Sequence, residues 1–288
     1  MNPWRNAPNP FRFGAFLFYA VFHRIEGEMH PILFKIGSLE IRTYGLFLLL
    51  AFFFATLYTA REAQKNGYKK EIIFDLAFWL VVIAIVGSRL LFAFYHWNYY
   101  SKHLLEIFAF WEGGLVFYGG VIPDIFFAIW YAKRKGLPIW KMADWIGPAF
   151  ALGMFIGRWG CFFNGCCYGK PTNSPLGIVF PPGSFACQEF GCVKVHPTQL
   201  YESFANLLVF FFLVAIKRRK PFDGFIFWLY VLLGSLIRFI DDFFRSYEPG
   251  VLLFGGKITV NQVIAIGLMI TSIIFLLTHF RKSAPKTT

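Results

Sequence analysis

The sequence predicts an all-α integral membrane protein of seven transmembrane helices, with its N-terminus outside and its C-terminus in the cytoplasm. Three observations predict it. Of the 288 residues 57% are hydrophobic, 21% aromatic and only 15% charged, with a mean hydropathy of +0.54, which leaves too little polar surface for a water-facing globule. The apolar residues gather in seven runs, near 44–60, 72–95, 115–132, 142–160, 198–216, 222–240 and 258–280, each long enough or nearly so to cross a ~30 Å hydrocarbon core as a helix. The net charge of +12 sits in short blocks between the runs instead of spreading over a polar face, which argues against a nucleic-acid partner and for cytoplasmic loops.

Those blocks order the elements across the bilayer. Segments 61–71, 133–141 and 217–221 each carry four Lys or Arg and the tail 281–288 carries three, whereas 96–114, 161–197 and 241–257 carry one, two and two. Basic loops stay inside, so the first run leads inward and the seventh ends in the cytoplasm. The segment ahead of the first run holds five basic residues and alone would not set the orientation; the summed asymmetry does. Residues 1–29 read as an outer extension lying on the membrane surface, or as sequence upstream of the true start. Their apolar stretch "FRFGAFLFYAVF" is short, and "HRIEGEMHP" follows it in place of a small-x-small cleavage site. Residues 30–288 form a single seven-helix domain with an exported loop at about 161–197.

Three arginines fall inside the runs: Arg89, Arg158 and Arg238. A guanidinium in hydrocarbon costs several kcal/mol unless it is paired or wetted, so each is a candidate functional group. Runs two, four and six enter from the cytoplasm at about Ile72, Met142 and Phe222, and each Arg lies 16 or 17 residues further on, ~24–26 Å at ~1.5 Å per residue. One such arginine alone is accounted for by snorkelling to the interface; three at one depth form a layer at the level of phospholipid headgroups. Arginine suits a phosphate, because its charge is permanent and its planar fork donates two parallel hydrogen bonds. Tyr44, Tyr118, His196, Gln199 and Glu202 fall in the same layer, which makes the outer face the working one.

Six blocks now stand out in order: "YGL" at 44–46, "GSRL" at 87–90, "EGGLVFYGG" at 112–120, "GRWGCFFNGCCYGKP" at 157–171, "HPTQLYE" at 196–202 and "RFIDDFFR" at 238–245. Singly they are weak; as a series they are specific, and from about His30 to the last run the chain resembles the prolipoprotein diacylglyceryl transferase family. The resemblance implies a multi-pass transferase of the bacterial cell (inner) membrane, its N-terminus periplasmic and its active site facing the outer leaflet. Its partners would be phosphatidylglycerol, a prolipoprotein signal peptide with a lipobox cysteine, and membrane lipid. Diacylglyceryl would pass from phosphatidylglycerol to the lipobox thiol, giving a thioether and glycerol phosphate, with no cofactor and no metal. The substrate would bring the nucleophile, so the enzyme needs none.

The resemblance also implies roles. Arg158 matches the signature arginine that binds the headgroup and Arg238 a second essential arginine, both catalytic. Asp242 and Arg245 follow Arg238 at i+4 and i+7, on one helical face. Asp242 stands where the family usually has glutamate and is expected to hold Arg238 by an ion pair. Asn164 and Gly169 match the motif; Tyr44, His196 and Glu202 are further substrate-binding candidates, and Arg89 is either structural or a second headgroup contact. Tyr118 replaces the histidine of the best-known family version. A phenol is a poor base at neutral pH unless an adjacent Arg lowers its pKa, so Tyr118 would orient the phosphate or relay a proton, with His196 as the alternative base and a base-free route open.

The five cysteines are Cys161, Cys166, Cys167, Cys187 and Cys192. Cys161 and Cys166 also depart from the commonest signature. Their spacings lack the C-x2-C knuckle of a metal site, and export to an oxidising compartment favours disulfides. Cys187 is expected to pair with Cys192, or either one with Cys166 or Cys167, giving two bridges and a free thiol at Cys161. Two other functions stay in view: a paralog with a changed donor or acceptor, motivated by Tyr118, Cys161 and Cys166, and more remotely a lipid or anion transporter, whose sites lie nearer the midplane.

Overall fold

The computed structural model describes residues 32–36, 39–109, 113–247, 252–253 and 258–283; the extension expected over 1–29 lies outside the described residues. The described residues include seven long helices: α1 (Thr43–Lys65), α2 (Lys70–Tyr95), α3 (Phe117–Arg134), α4 (Ile139–Phe163), α5 (Thr198–Ile216), α6 (Phe225–Phe244) and α7 (Val260–Ser283). Five of them, α1, α2, α4, α5 and α7, are long and apolar enough to cross a membrane. The other two are α3, with 18 residues including Asp124, Lys133 and Arg134, and α6, with 20 including Arg238, Asp241 and Asp242. Large apolar side chains face outward along the helices, with Phe94, Phe126 and Leu208 70–71% exposed. Water would not tolerate so much contiguous apolar surface, whereas lipid requires it. The protein is a mostly helical, multi-pass membrane protein.

The helix ends differ from the apolar runs for identifiable reasons. Helix α1 continues to Lys65, past the first charges, because buried Glu62 accepts Lys65 Nζ at 2.9 Å and Lys217 Nζ at 2.8 Å. Helix α6 starts three residues later than the run suggests. Gly224 adopts φ +97°, a left-handed conformation open to glycine that no helix continues through. Buried Asp144 then caps the new helix, accepting Gly224 N at 2.9 Å, Phe227 N at 3.1 Å and Lys220 Nζ at 2.8 Å. Arg238 therefore lies 13 residues beyond the start of α6, not 16.

Two compact units emerge, each assembled from three separate segments. The first holds the described part of the chain up to Ala51, together with Met154–Leu207 and Ser235–Gly267. It opens with an antiparallel hairpin of β1 (Ile32–Ile36) and β2 (Leu39–Arg42). Its core gathers Phe162, Phe180, Val195 and Leu200 under the long loop. The loop carries β3 (Ile178–Val179), a short helix Phe185–Phe190 and β4 (Lys194–Val195), which pairs with β3; β5 (Leu252–Leu253) and β6 (Ile258–Thr259) pair ahead of α7.

The second unit comprises Phe52–Gly153, Leu208–Gly234 and the segment from Leu268. Its core packs Ala60, Ile73, Leu76, Tyr131, Met142 and Trp145. Here the blocks "GSRL" and "FYGG" interlock: a Cβ on Gly87 would stand 2.2 Å from Gly119 O, and one on Gly119 2.5 Å from Gly87 O. Small residues that let two backbones touch are a common device of membrane helices. Gly87→Ala is expected to push α2 from α3 and destabilise the fold by about 1–3 kcal/mol, read as a lower thermal midpoint in detergent; an unchanged midpoint would show that the contact is not needed.

Candidate active site

The last turn of α4 sets the site. Arg158 lies five residues before the helix ends at Phe163, and Gly165, at φ +67°, turns the chain back. Cys167 follows at φ +64°, a conformation that strains any residue with a Cβ by roughly 1–2 kcal/mol. The segment after it is clamped on both sides. Gly169 N donates to His196 O at 2.8 Å, His196 N to Lys170 O at 3.1 Å, Lys170 N to Phe244 O at 2.8 Å and Ser246 N to Tyr168 O at 3.2 Å. There is no room for a side chain at position 169, where a Cβ would lie 2.5 Å from Phe244 O and 2.6 Å from His196 Cβ.

The first turns of α5 lock this segment and supply the central acid. Buried Thr198 donates Oγ1 to Cys167 O at 2.7 Å, and buried Gln199 donates Nε2 to Cys166 O at 2.6 Å. One turn on, Ser203 Oγ reaches Phe155 O at 2.8 Å, which fixes α5 against α4. Between these anchors Glu202, 3% exposed, takes Arg158 Nη2 at 2.6 Å and Arg238 Nη1 at 3.5 Å on the same oxygen, Oε2. Two guanidiniums thus share one carboxylate.

Arg238 is held from its other side. Its Nη2 is 2.9 Å from Asp242 Oδ1 and donates to Tyr247 Oη at 2.6 Å. The Tyr247 hydroxyl donates to Asp242 Oδ1 at 2.5 Å, and Thr259 Oγ1 donates to Asp242 Oδ2. Burial first, then the bond to Asp242, push the Tyr247 phenol up to about 12, so near neutral pH it is a donor. Arg245 stacks its guanidinium 5.3 Å from the Tyr247 ring centroid. The Nε atoms of Arg158 and Arg245 are buried without a partner among the described residues. In a medium of low dielectric such donors favour an anion.

Among the expected residues, Arg158, Glu202, Arg238 and Asp242 come together through these contacts. His196 is engaged elsewhere: its Nδ1 lies 3.2 Å from Tyr201 Oη and its ring meets Phe244 edge-on at 5.2 Å, while burial lowers its pKa and keeps it neutral near pH 7. Asn164 follows α4, its N donating to Gly160 O at 3.0 Å. Tyr44 opens α1, half-buried to exposed at 41%. Tyr118 and Arg89 belong to the second unit; Tyr118 is 54% exposed in the first turn of α3.

Arg89 differs in kind from the other two arginines. It is 5% exposed, and carbonyls take its donors: Nε to Ile107 O at 2.9 Å, Nη1 to Gly113 O at 2.6 Å and Nη2 to Glu106 O at 2.7 Å. The Phe92 and Tyr100 rings flank it at 5.7 and 5.4 Å. This arginine ties Glu106, Ile107 and Gly113 to α2. Arg89→Lys, which loses the fork but keeps the charge, is expected to lower the thermal midpoint while retaining part of any turnover; complete loss of turnover in a stably folded variant would contradict a structural role.

Sequence reasoning passed over Tyr247, Thr259 and Asp241. The first two lie beyond the end of α6, where polar residues are ordinary. Asp241 adjoins Asp242 but is 4% exposed, with both carboxylate oxygens unpartnered among the described residues, and it interacts electrostatically with Glu202, Arg245, Arg158 and Arg238. In the loop, Cys187 and Cys192 form a disulfide. The expected second bridge is not made: Cys187 and Cys192 take each other, and Cys161, Cys166 and Cys167 are free.

Fold and cluster define a class: a multi-pass membrane protein with arginines gathered at one buried acid, suited to an anionic group. The family model described as prolipoprotein diacylglyceryl transferase matches residues 31–278, and the chain belongs to that family. Similar proteins include the phosphatidylglycerol–prolipoprotein diacylglyceryl transferases of Finegoldia magna, 36% identical over 85% of this chain and 94% of the relative, and Geobacter sulfurreducens, 35% identical over 83% and 90%. A third, from Acaryochloris marina, is 33% identical over 94% of this chain and 97% of its own length.

Proposed function

We propose that this protein transfers diacylglyceryl from phosphatidylglycerol to the lipobox cysteine thiol of exported prolipoproteins. The observation that carries the reading is the pair Arg158 and Arg238 on the shared Glu202 oxygen, in a member of this transferase family. The phosphate of the lipid takes the open donors of Arg158 and Arg245. The incoming sulfur attacks the terminal glycerol carbon of the diacylglyceryl group, the bond from that carbon to the phosphate oxygen breaks, and glycerol phosphate leaves. Negative charge grows on the phosphate oxygens in the transition state, where preplaced guanidiniums stabilise it best if water is scarce. Glu202, Asp242 and Tyr247 hold the guanidiniums in place, and Asp241, a buried carboxyl that no donor among the described residues occupies, is the candidate to take the thiol proton. Asn164 and Gly169 shape the turn after α4 and the clamped segment beside the site, while Tyr44 and Tyr118 meet headgroups at helix starts as interfacial tyrosines do.

The same reading makes all seven helices of residues 30–288 transmembrane in one domain. The basic loops support an N-terminus in the periplasm and a C-terminus in the cytoplasm, and with them a site that faces the outer leaflet of the bacterial inner membrane. The Cys187–Cys192 bridge in the 161–197 loop suits an oxidising compartment. Its partners are lipid and exported polypeptide, not nucleic acid.

The test uses purified protein in phosphatidylglycerol vesicles with a lipobox peptide. The expected result is a peptide heavier by one diacylglyceryl, glycerol phosphate in equal amount, and neither product with a Cys→Ser peptide. No adduct from the intact peptide would reject the reading, and lipid movement without an adduct would indicate a transporter.

A further inference from the structure

The end of α4 and the turn after it bring the thiol of Cys161 onto the vicinal pair Cys166 and Cys167. The sulfurs of Cys161, Cys166 and Cys167 all lie within 4.8 Å of one another. Three thiolates on one ion at the Zn–S bond length of ~2.3 Å stand roughly 3.8–4 Å apart, so closing the cluster onto an ion takes at most a small contraction. We propose that Cys161, Cys166 and Cys167 form a three-thiolate site for a soft closed-shell cation, Cu(I) or Zn2+, built against Arg158.

Several features of the cluster point to a ligand beyond mere proximity. The backbone of the vicinal pair is pinned, its two carbonyls held by the buried Thr198 and Gln199, so the thiols are displayed from a fixed frame. Cys167 accepts a left-handed φ of +64°, and strain of this kind concentrates at functional positions. Helix α4 contributes the third sulfur: Cys166 N bonds to Cys161 O at 3.1 Å, so the turn through Gly165 performs the closure that a C-x2-C knuckle performs elsewhere. Among the described residues no His or carboxylate joins the three, and an all-thiolate set selects soft ions. A bridge would use two of the three sulfurs and leave one; a cation engages all three.

The charge around the cluster is complementary. Three thiolates with either ion carry a net negative charge, and Arg158 and Arg245 act electrostatically on Cys167, with Arg158 Nη1 3.9 Å from Cys161 Sγ. An occupied cluster would therefore occupy a guanidinium that the lipid phosphate needs, and turnover should fall when the ion binds. That consequence rests on the transferase reading; binding itself does not.

The experiment takes the full-length protein purified anaerobically without reductant and titrates Cu(I) and, in a separate arm, Zn2+ against a chromophoric chelator. One ion retained per chain in either arm, with retention at least about tenfold weaker in Cys161→Ser and Cys167→Ser and unchanged in a Cys187→Ser/Cys192→Ser double variant, supports the site. Thermal midpoints show that the variants are folded. Loss of turnover on adding the retained ion, restored by chelator and absent in Cys161→Ser, supports the coupling to Arg158. Retention of neither ion overturns the site. So does equal retention by Cys167→Ser, or a bridge joining two of the three cysteines in the mass spectrum of the unreduced protein.

Discussion

Replacing Arg158 with alanine is expected to lower diacylglyceryl transfer by about 10³-fold or more while leaving the protein folded. The rate loss follows from removing a preplaced donor at the leaving phosphate, where one such donor is worth roughly 10²–10³ and Arg158 supplies a full charge as well. The fold survives because Glu202 keeps a partner in Arg238, at 3.5 Å from the oxygen that Arg158 vacates. Arg158→Lys should recover only part of the rate, since an ammonium keeps the charge without the planar fork. Rates are read as peptide adduct per minute in vesicles, and folding as the thermal midpoint. A folded Arg158→Ala protein with wild-type turnover would end the phosphate-clamp account.

Glu202→Gln is expected to fail on both counts. The carboxylate is 4% exposed on its side chain and balances two guanidiniums that are themselves only 14% and 23% exposed. Breaking a buried pair by removing one partner costs about 3–5 kcal/mol, because the remaining charge is left uncompensated. Here one substitution leaves Arg158 without its carboxylate and Arg238 with Asp242 alone, and the two cations then repel each other. The thermal midpoint should drop by several degrees, and turnover should fall by about 10²-fold as Arg158 and Arg238 swing apart and lose their preorganisation. Wild-type stability together with a wild-type rate would show that the shared carboxylate does not organise the site.

The two variants separate chemistry from architecture, and the same separation shows what could be read before the structure. A charge inside an apolar run is conspicuous because hydrocarbon penalises it, so Arg158 and Arg238 were legible, as was Asp242 one helical turn from Arg238. Arg89 looked identical by that criterion, yet its donors end on the carbonyls of Glu106, Ile107 and Gly113. Backbone acceptors leave no trace in the choice of amino acid. The start of α6 was misplaced for a related reason: hydropathy registers Phe222 as apolar but not the left-handed turn at Gly224 or the Asp144 cap contributed from 80 residues away.

Long-range pairing hid the rest. The clamp on Tyr168–Lys170 joins strand partners near His196 and Phe244, and neither neighbourhood announces the other. Glu202 was legible as a polar residue of the outer layer, but its sharing between two arginines depends on how α4, α5 and α6 converge. The cysteines were read by spacing along the chain, which describes the Cys187–Cys192 loop well. It describes Cys161, Cys166 and Cys167 poorly, because the end of a helix and one left-handed residue bring them together.

The most direct measurement is phosphatidylglycerol retention by native mass spectrometry, with a Cys→Ser lipobox peptide present so that no turnover can occur. The account predicts that the wild-type protein holds both lipid and peptide, and that Arg158→Ala holds the peptide but loses the lipid at least about tenfold more readily. Equal retention of phosphatidylglycerol by wild type and Arg158→Ala would contradict it.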